Sequence, residues 1–180
     1  MRRLMPLAIV TLFALTLGAP PVTAVADRTP VTAVIVGAED LAPGEPRETG
    51  NALKGTIELW GAQGRQWWDG DAYLHGTAVV TYNFVSAWVC DEALSCKVTG
   101  RLWGTTTWEP YAFDGGWEGT FTVQITSFDE YGFSYSGKLQ AKGYGELEGR
   151  RLMLDVAADA TVPPWEGSHT VTGYVLTHGK

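Results

Sequence analysis

Between residues 117 and 141 the chain alternates apolar and polar positions with a period of two, and nothing else in it restricts the fold as strongly. Trp117, Gly119, Phe121, Val123 and Ile125 share one face, while Glu118, Thr120, Thr122, Gln124 and Thr126 share the other. Successive side chains of an extended strand point to opposite sides, so this spacing describes a half-buried β-strand; a helix would repeat its apolar stripe every three to four residues. Tyr131, Phe133, Tyr135, Gly137, Leu139 and Ala141 repeat the pattern, with residues 127–130 as the hairpin turn between the two segments. Leu152, Leu154, Val156 and Ala158 form a third such face, and Val171, Gly173 and Val175 a fourth. Upstream, Leu74, Gly76, Ala78, Val80, Tyr82 and Phe84 line a long segment expected to bend or split near Asn83. Val98, Gly100, Leu102, Gly104, Thr106 and Trp108 line the next, and Ile57 and Leu59 mark a first strand.

Seven or eight antiparallel strands, each with one apolar face, must close on a shared core. The expected class is therefore all-β, an antiparallel closed barrel of about eight strands, because closure removes the edges that Val- and Thr-rich strands would expose. A two-sheet β-sandwich satisfies the same alternation and stays open as the alternative. Many inward positions are Gly or Ala. Such residues either let the strands coil tightly or leave a void, and an eight-stranded barrel is near the size at which both outcomes occur.

The first 26 residues read as a signal peptide. Arg2 and Arg3 precede an apolar run over residues 4–17, and Ala24-Val25-Ala26 offers a small-residue cleavage site. Cleavage would leave 154 residues (180 less 26) and shift the formal charge from −7 to −9 with the loss of the two arginines. So acidic a chain lacks the basic patch that nucleic-acid binding requires, and no second apolar stretch approaches the roughly 20 residues of a membrane helix. Residues 27–50, with Pro30, Pro43, Gly44, Pro46 and Gly50, read as an irregular arm or linker, although residues 31–36 could add a strand. The β-domain is then 51–180. Export to the periplasm or the extracellular medium favours disulfide formation, and Cys90 and Cys96 are spaced to staple a hairpin loop.

Two glycine-rich stretches, Gly115-Gly116-Trp117-Glu118-Gly119-Thr120-Phe121 and Gly143-Tyr144-Gly145-Glu146-Leu147-Glu148-Gly149, resemble the G-x-W-x-G … G-x-G-x-L-x-G pattern of bacterial proteins with an allene-oxide-cyclase-like barrel, a grouping that includes plant dirigent proteins. The resemblance spans residues 115–156. It implies an eight-stranded antiparallel barrel with a small apolar interior, which in the plant cyclases confines a fatty-acid epoxide during ring closure. No position here matches the polar catalytic residues of those cyclases, so the resemblance supplies no catalytic residue.

Candidate sites follow from the inward faces. These carry no carboxylate in this register, and Tyr82, Tyr135 and Thr106 are their only polar groups, which argues against acid–base catalysis. His75, His169 and His178 share no ligand spacing, and Asp69-Gly70-Asp71 lacks the rest of a calcium loop, so neither a metal nor another cofactor is expected. An aromatic, glycine-rich, uncharged interior suits a small apolar molecule held by Tyr82, Trp108, Trp117, Phe121 and Tyr135. An alternative is a glycan- or protein-binding surface built from Trp67 and Trp68, read as lying in the 64–71 loop, together with Trp103. The same two tryptophans could instead cap a barrel end or bury against the 27–50 arm. A cyclase or isomerase working by confinement is the third reading, implied by the resemblance alone.

Overall fold

The computed structural model describes residues 26–92, 96–128, 132–161 and 167–177. The expected signal peptide, the tip of the 127–130 turn, Trp165 and His178 fall outside them. Nine strands follow one another: β1 (Asp27–Ala42), β2 (Glu45–Asn51), β3 (Lys54–Gly70), β4 (Gly76–Cys90), β5 (Cys96–Pro110), β6 (Gly115–Phe128), β7 (Gly132–Gly145), β8 (Arg150–Thr161) and β9 (Gly167–Thr177). All belong to one antiparallel sheet, rather than the two of a sandwich, in the order β1-β9-β8-β7-β6-β5-β4-β3-β2. A further β1–β3 pairing joins the sheet back on itself, so β1 and β3 to β9 form a ring of eight strands.

Residues 27–50, expected to be an irregular arm to which residues 31–36 could add a strand, are β1 and β2; the 31–36 strand is part of β1, which makes that closure. The first half of β1 pairs with β9, from Asp27↔Thr177 to Val34↔Thr170, and its second half with β3, from Ala33↔Gly70 to Ala42↔Gln63. β2 then continues along the same side of β3, from Glu45↔Trp60 to Asn51↔Lys54. The prolines fit this arrangement. Pro30 lies where β1 pairs with β9 but not yet with β3, Pro46 lies on the outermost strand, and Pro43-Gly44 forms the break between the two strands. A residue without an N–H is tolerated in a strand bonded on one side only. Edge strands and linkers thus share a composition, and the sequence pattern points to either.

The bend expected at Asn83 lies instead in the neighbouring strand. β4 is continuous, whereas the β3–β4 register shifts between Leu59 and Ala62. Gly61 there adopts a φ of 67°, and its N–H donates to the Asn83 side-chain oxygen at 3.0 Å. Gly44, at φ 73°, packs so closely on the Trp60 carbonyl and Ala62 backbone that no Cβ would fit.

Inside the ring the alternation of β4 to β9 is as the sequence indicates. Ala78, Val80, Val123, Leu139, Leu152, Leu154, Val156 and Val171 are all buried. The inward glycines do not leave voids. A side chain at Gly104 would run into the Thr81 carbonyl, and one at Gly119 into that of Gln140, so these positions let neighbouring strands coil against one another.

One end of the ring is packed shut. Leu74, in the turn between β3 and β4, and Leu147, between β7 and β8, are fully buried there with Trp108 and Trp117. The Trp117 indole donates to the Tyr73 carbonyl at 3.0 Å, and Tyr73 stacks on Phe113. Arg150 lies over the Tyr73 ring and donates to its hydroxyl at 2.9 Å. The turns thus supply the cap that Trp67 and Trp68 were candidates for. At the opposite end Cys90 and Cys96 form the expected disulfide across the β4–β5 hairpin.

Two stability measurements check this assignment. Leu147→Ala should lower the unfolding free energy by about 2–5 kcal/mol in chemical denaturation, since the cap leaves the cavity little freedom to collapse. Replacing both cysteines by serine should cost about 2 kcal/mol, the entropy of so short a closed loop.

Candidate ligand site in the ring

Aromatic side chains inside the ring come together across small residues of an intervening strand. Tyr135 on β7 and His169 on β9 both pair with Ala158 of β8, and over that methyl group the Tyr135 hydroxyl lies 2.9 Å from His169 Nδ1. Trp68 on β3 and Trp108 on β5 flank Gly76 and Ala78 of β4, and their rings sit 4.0 Å apart, tilted by 42°. Tyr82 on β4 and Phe121 on β6 flank Gly104 of β5 in the same way.

Burial separates the expected ligand wall into two groups. Trp108 and Trp117 are fully buried at the packed end, whereas Tyr82, Phe121 and Tyr135 are only partly covered. The second group lies farther along the strands toward the disulfide end, with Leu102 and Ile35 also packed against the core edge. On β1 the residues across from Gln66 and Gly64 are Ala38 and Asp40, and both are exposed. Solvent therefore reaches this side of the ring, where β1 has left β9. Asp40 also corrects the expectation of a carboxylate-free lining: it sits at this rim, near enough to Tyr82 to raise its pKa after burial has done so.

His169 was set aside because no sequence spacing links it to a partner. Strand order supplies the link, through Tyr135↔Ala158↔His169. Burial pushes the Tyr135 phenol up to about 12 and holds the His169 imidazole below its ordinary 6.5. Both groups are therefore neutral at pH 7. Either the phenol donates to a bare Nδ1 or Nδ1–H donates to the phenol oxygen.

The expected surface site is not assembled. Trp67 and Trp68 lie within β3 rather than in a loop, and Trp68 is 4% exposed against Trp108. Trp67 points outward over Gly37. Its row runs through Thr77 to Glu109, about 20 Å along β5 from Trp103 at the rise of an extended strand. The partner of Trp103 is Trp60, edge-on at 5.6 Å, with the Arg101 guanidinium 5.4 Å from the Trp103 ring and Glu58 accepting from the Trp60 indole.

The acidic turn is occupied by its own structure. Asp71 accepts from the Thr32 N–H, and Asp69 lies 3.1 Å from His75 Nδ1. Among the described residues no group of three His, Cys, Asp or Glu is placed to hold a metal, and no helix is long and apolar enough to cross a membrane.

The depressed His169 pKa makes stability depend on pH. The unfolded chain binds a proton at 6.5 that the folded chain does not yet bind, so stability is full above that pH and falls as pH drops toward the folded value. The melting temperature should fall between pH 7 and 5, and His169→Gln should remove part of that slope.

Comparisons with protein-family models, curated proteins and solved structures found no match.

Proposed function

We propose that the eight-stranded ring is a closed barrel whose solvent-facing end holds a small, largely apolar ligand without transforming it. One observation carries this: an uncharged, hydrogen-bonded Tyr135–His169 pair lies half-covered among apolar residues at that end, while the other end is packed shut. A concave apolar surface with a few converging polar groups is the usual form of a small-molecule site. Tyr82 and Phe121 would form its walls, and Trp108 and Trp117 would lie beneath it as floor. On this proposal the chain is exported with its signal peptide removed, and the disulfide is compatible with an oxidising compartment.

A second reading has its own support. Trp60, Trp103, Arg101 and Glu58 put two indoles among charged hydrogen-bonding groups on the outer face, an arrangement suited to a glycan. It would use a different surface and leave the ring interior uninvolved. The allene-oxide-cyclase-like reading remains a third proposal. It would make confinement, rather than acid–base chemistry, the source of any rate enhancement.

The mature protein should bind the neutral dye 1-aminoanthracene saturably, with one site per chain and enhanced fluorescence. Phe121→Trp, which enlarges a side chain at the mouth, should weaken that binding at least tenfold while the melting curve stays close to wild type. Undiminished binding in the folded variant would count against the barrel end as the site.

A further inference from the structure

The interior contains hydrogen-bond donors that the protein itself does not satisfy. Trp68 Nε1 and Trp108 Nε1 are buried, and neither has a hydrogen-bond partner among the described residues. A buried donor left unpaired is costly, and such groups are rare in folded proteins. Two of them, on indoles whose rings are 4.0 Å apart, form one local feature. Another buried indole, that of Trp117, is satisfied by the Tyr73 carbonyl, so indole donors in this core are not generally orphaned.

Two more polar groups occupy the same interior face. Gln66 pairs with Ala78, which in turn pairs with Trp108, and Thr106 lies two residues from Trp108 on β5. Thr106 is 4% exposed and Gln66 is half-buried. Gln66, Trp68, Thr106 and Trp108 thus surround Ala78 with hydrogen-bonding capacity turned inward. The exposed Ala38, across from Gln66, puts one side of the cluster next to solvent.

The chemistry of this set is one-sided. An indole N–H can only donate, the amide and hydroxyl can do both, and no formal charge is present. Among the described buried residues the polar ones are Ser86 and Thr106, with no Lys or Arg to balance an anion. A carboxylate here would be desolvated without a counter-charge, which is far costlier than placing a neutral oxygen. We propose that Trp68 and Trp108 donate jointly to a carbonyl oxygen of a small neutral ligand, with Gln66 and Thr106 completing its hydrogen bonds. The ligand class is therefore a ketone, lactone or ester on an apolar frame, and not a free acid. The proposal deepens the ligand-binding function above and rests on it.

The test compares cyclohexanone with methylenecyclohexane, which replaces the carbonyl oxygen by a CH₂ group of nearly the same shape. Both are titrated into the full mature chain labelled with ¹⁵N, and the indole N–H signals are followed by NMR. Trp68→Phe and Trp108→Phe variants assign two of those signals, and the remaining indole signals report whether each variant is folded. Cyclohexanone should move both signals downfield saturably and bind about tenfold more tightly than the hydrocarbon, the factor expected for two net hydrogen bonds of modest strength. Equal affinity of the two probes would overturn the proposal while leaving apolar binding in the barrel intact. Binding of neither, together with failure of the dye, would overturn both. Cross-relaxation of the two indole protons with a resident water that cyclohexanone does not displace would also overturn it, by identifying the water as the acceptor.

Discussion

The pairing of β1 with β3 is the constraint on which the rest of the fold depends. Every other ring contact joins strands adjacent in sequence, except that between β1 and β9, and β1 makes both exceptions. Without it, β1 and residues 63–70 of β3 would present open edges, and Trp68, opposite Ile35, would lose the strand that covers it. Closure is possible because β1 changes partner midway: Ala33 and Val34 bond to β9 on one side and β3 on the other. β2 then follows the remaining length of β3 past the Gly44–Gly61 break. That same change of partner leaves the second half of β1 without β9 beside it, which exposes Ala38 and Asp40. Ring closure and access to the interior thus have one origin.

Tight coiling decides what the interior can contain. The inward glycines are required because carbonyls of adjacent strands occupy the space where their side chains would be. With those positions unable to fill the core, the volume falls to a few large side chains reaching across small neighbours, as Trp68 and Trp108 do over Gly76 and Ala78. Tryptophan brings a donor with every ring. A core of this geometry therefore acquires polar groups as a consequence of its packing, and whether each is satisfied depends on a nearby carbonyl. Trp117 finds one in the capping turn; Trp68 and Trp108, on the strands to either side of β4, find none among the described residues.

Strand faces were legible in the sequence because burial on one side imposes a period of two, and a slip of one residue would invert every face. Among the described side chains from Leu74 to Val175 the inward positions are those the alternation marks, and the disulfide is where the Cys spacing puts it. Residues 27–50 were legible only at 31–36, where a further strand was open; the rest was not, because prolines and acids that protect an edge strand are the same residues that compose a linker. Trp68 was misread for a related reason: Gly64, Asp69 and Gly70 around it resemble loop punctuation, although Gly64 and Gly70 are strand positions facing β1. The Tyr135–His169 pair was invisible because both members are ordinary strand residues. Only the strand order β7-β8-β9, with an alanine between them, brings them to hydrogen-bonding distance.

Charge is distributed in a way that bears on ligand choice. The chain carries a net −7, yet its described buried core holds no ionisable side chain of the Asp, Glu, Lys or Arg type. Asp40 stands at the accessible rim and Glu39 beside it is paired with Arg65. An anionic molecule approaching that rim meets like charge first and then an interior without a cation, so both encounter and burial disfavour it. A neutral molecule meets neither obstacle. For it, the same interior offers apolar walls, one neutral Tyr–His pair and two indole donors still in want of an acceptor. On the proposed function, the acidity that argues against nucleic-acid binding would also limit the ring to uncharged compounds.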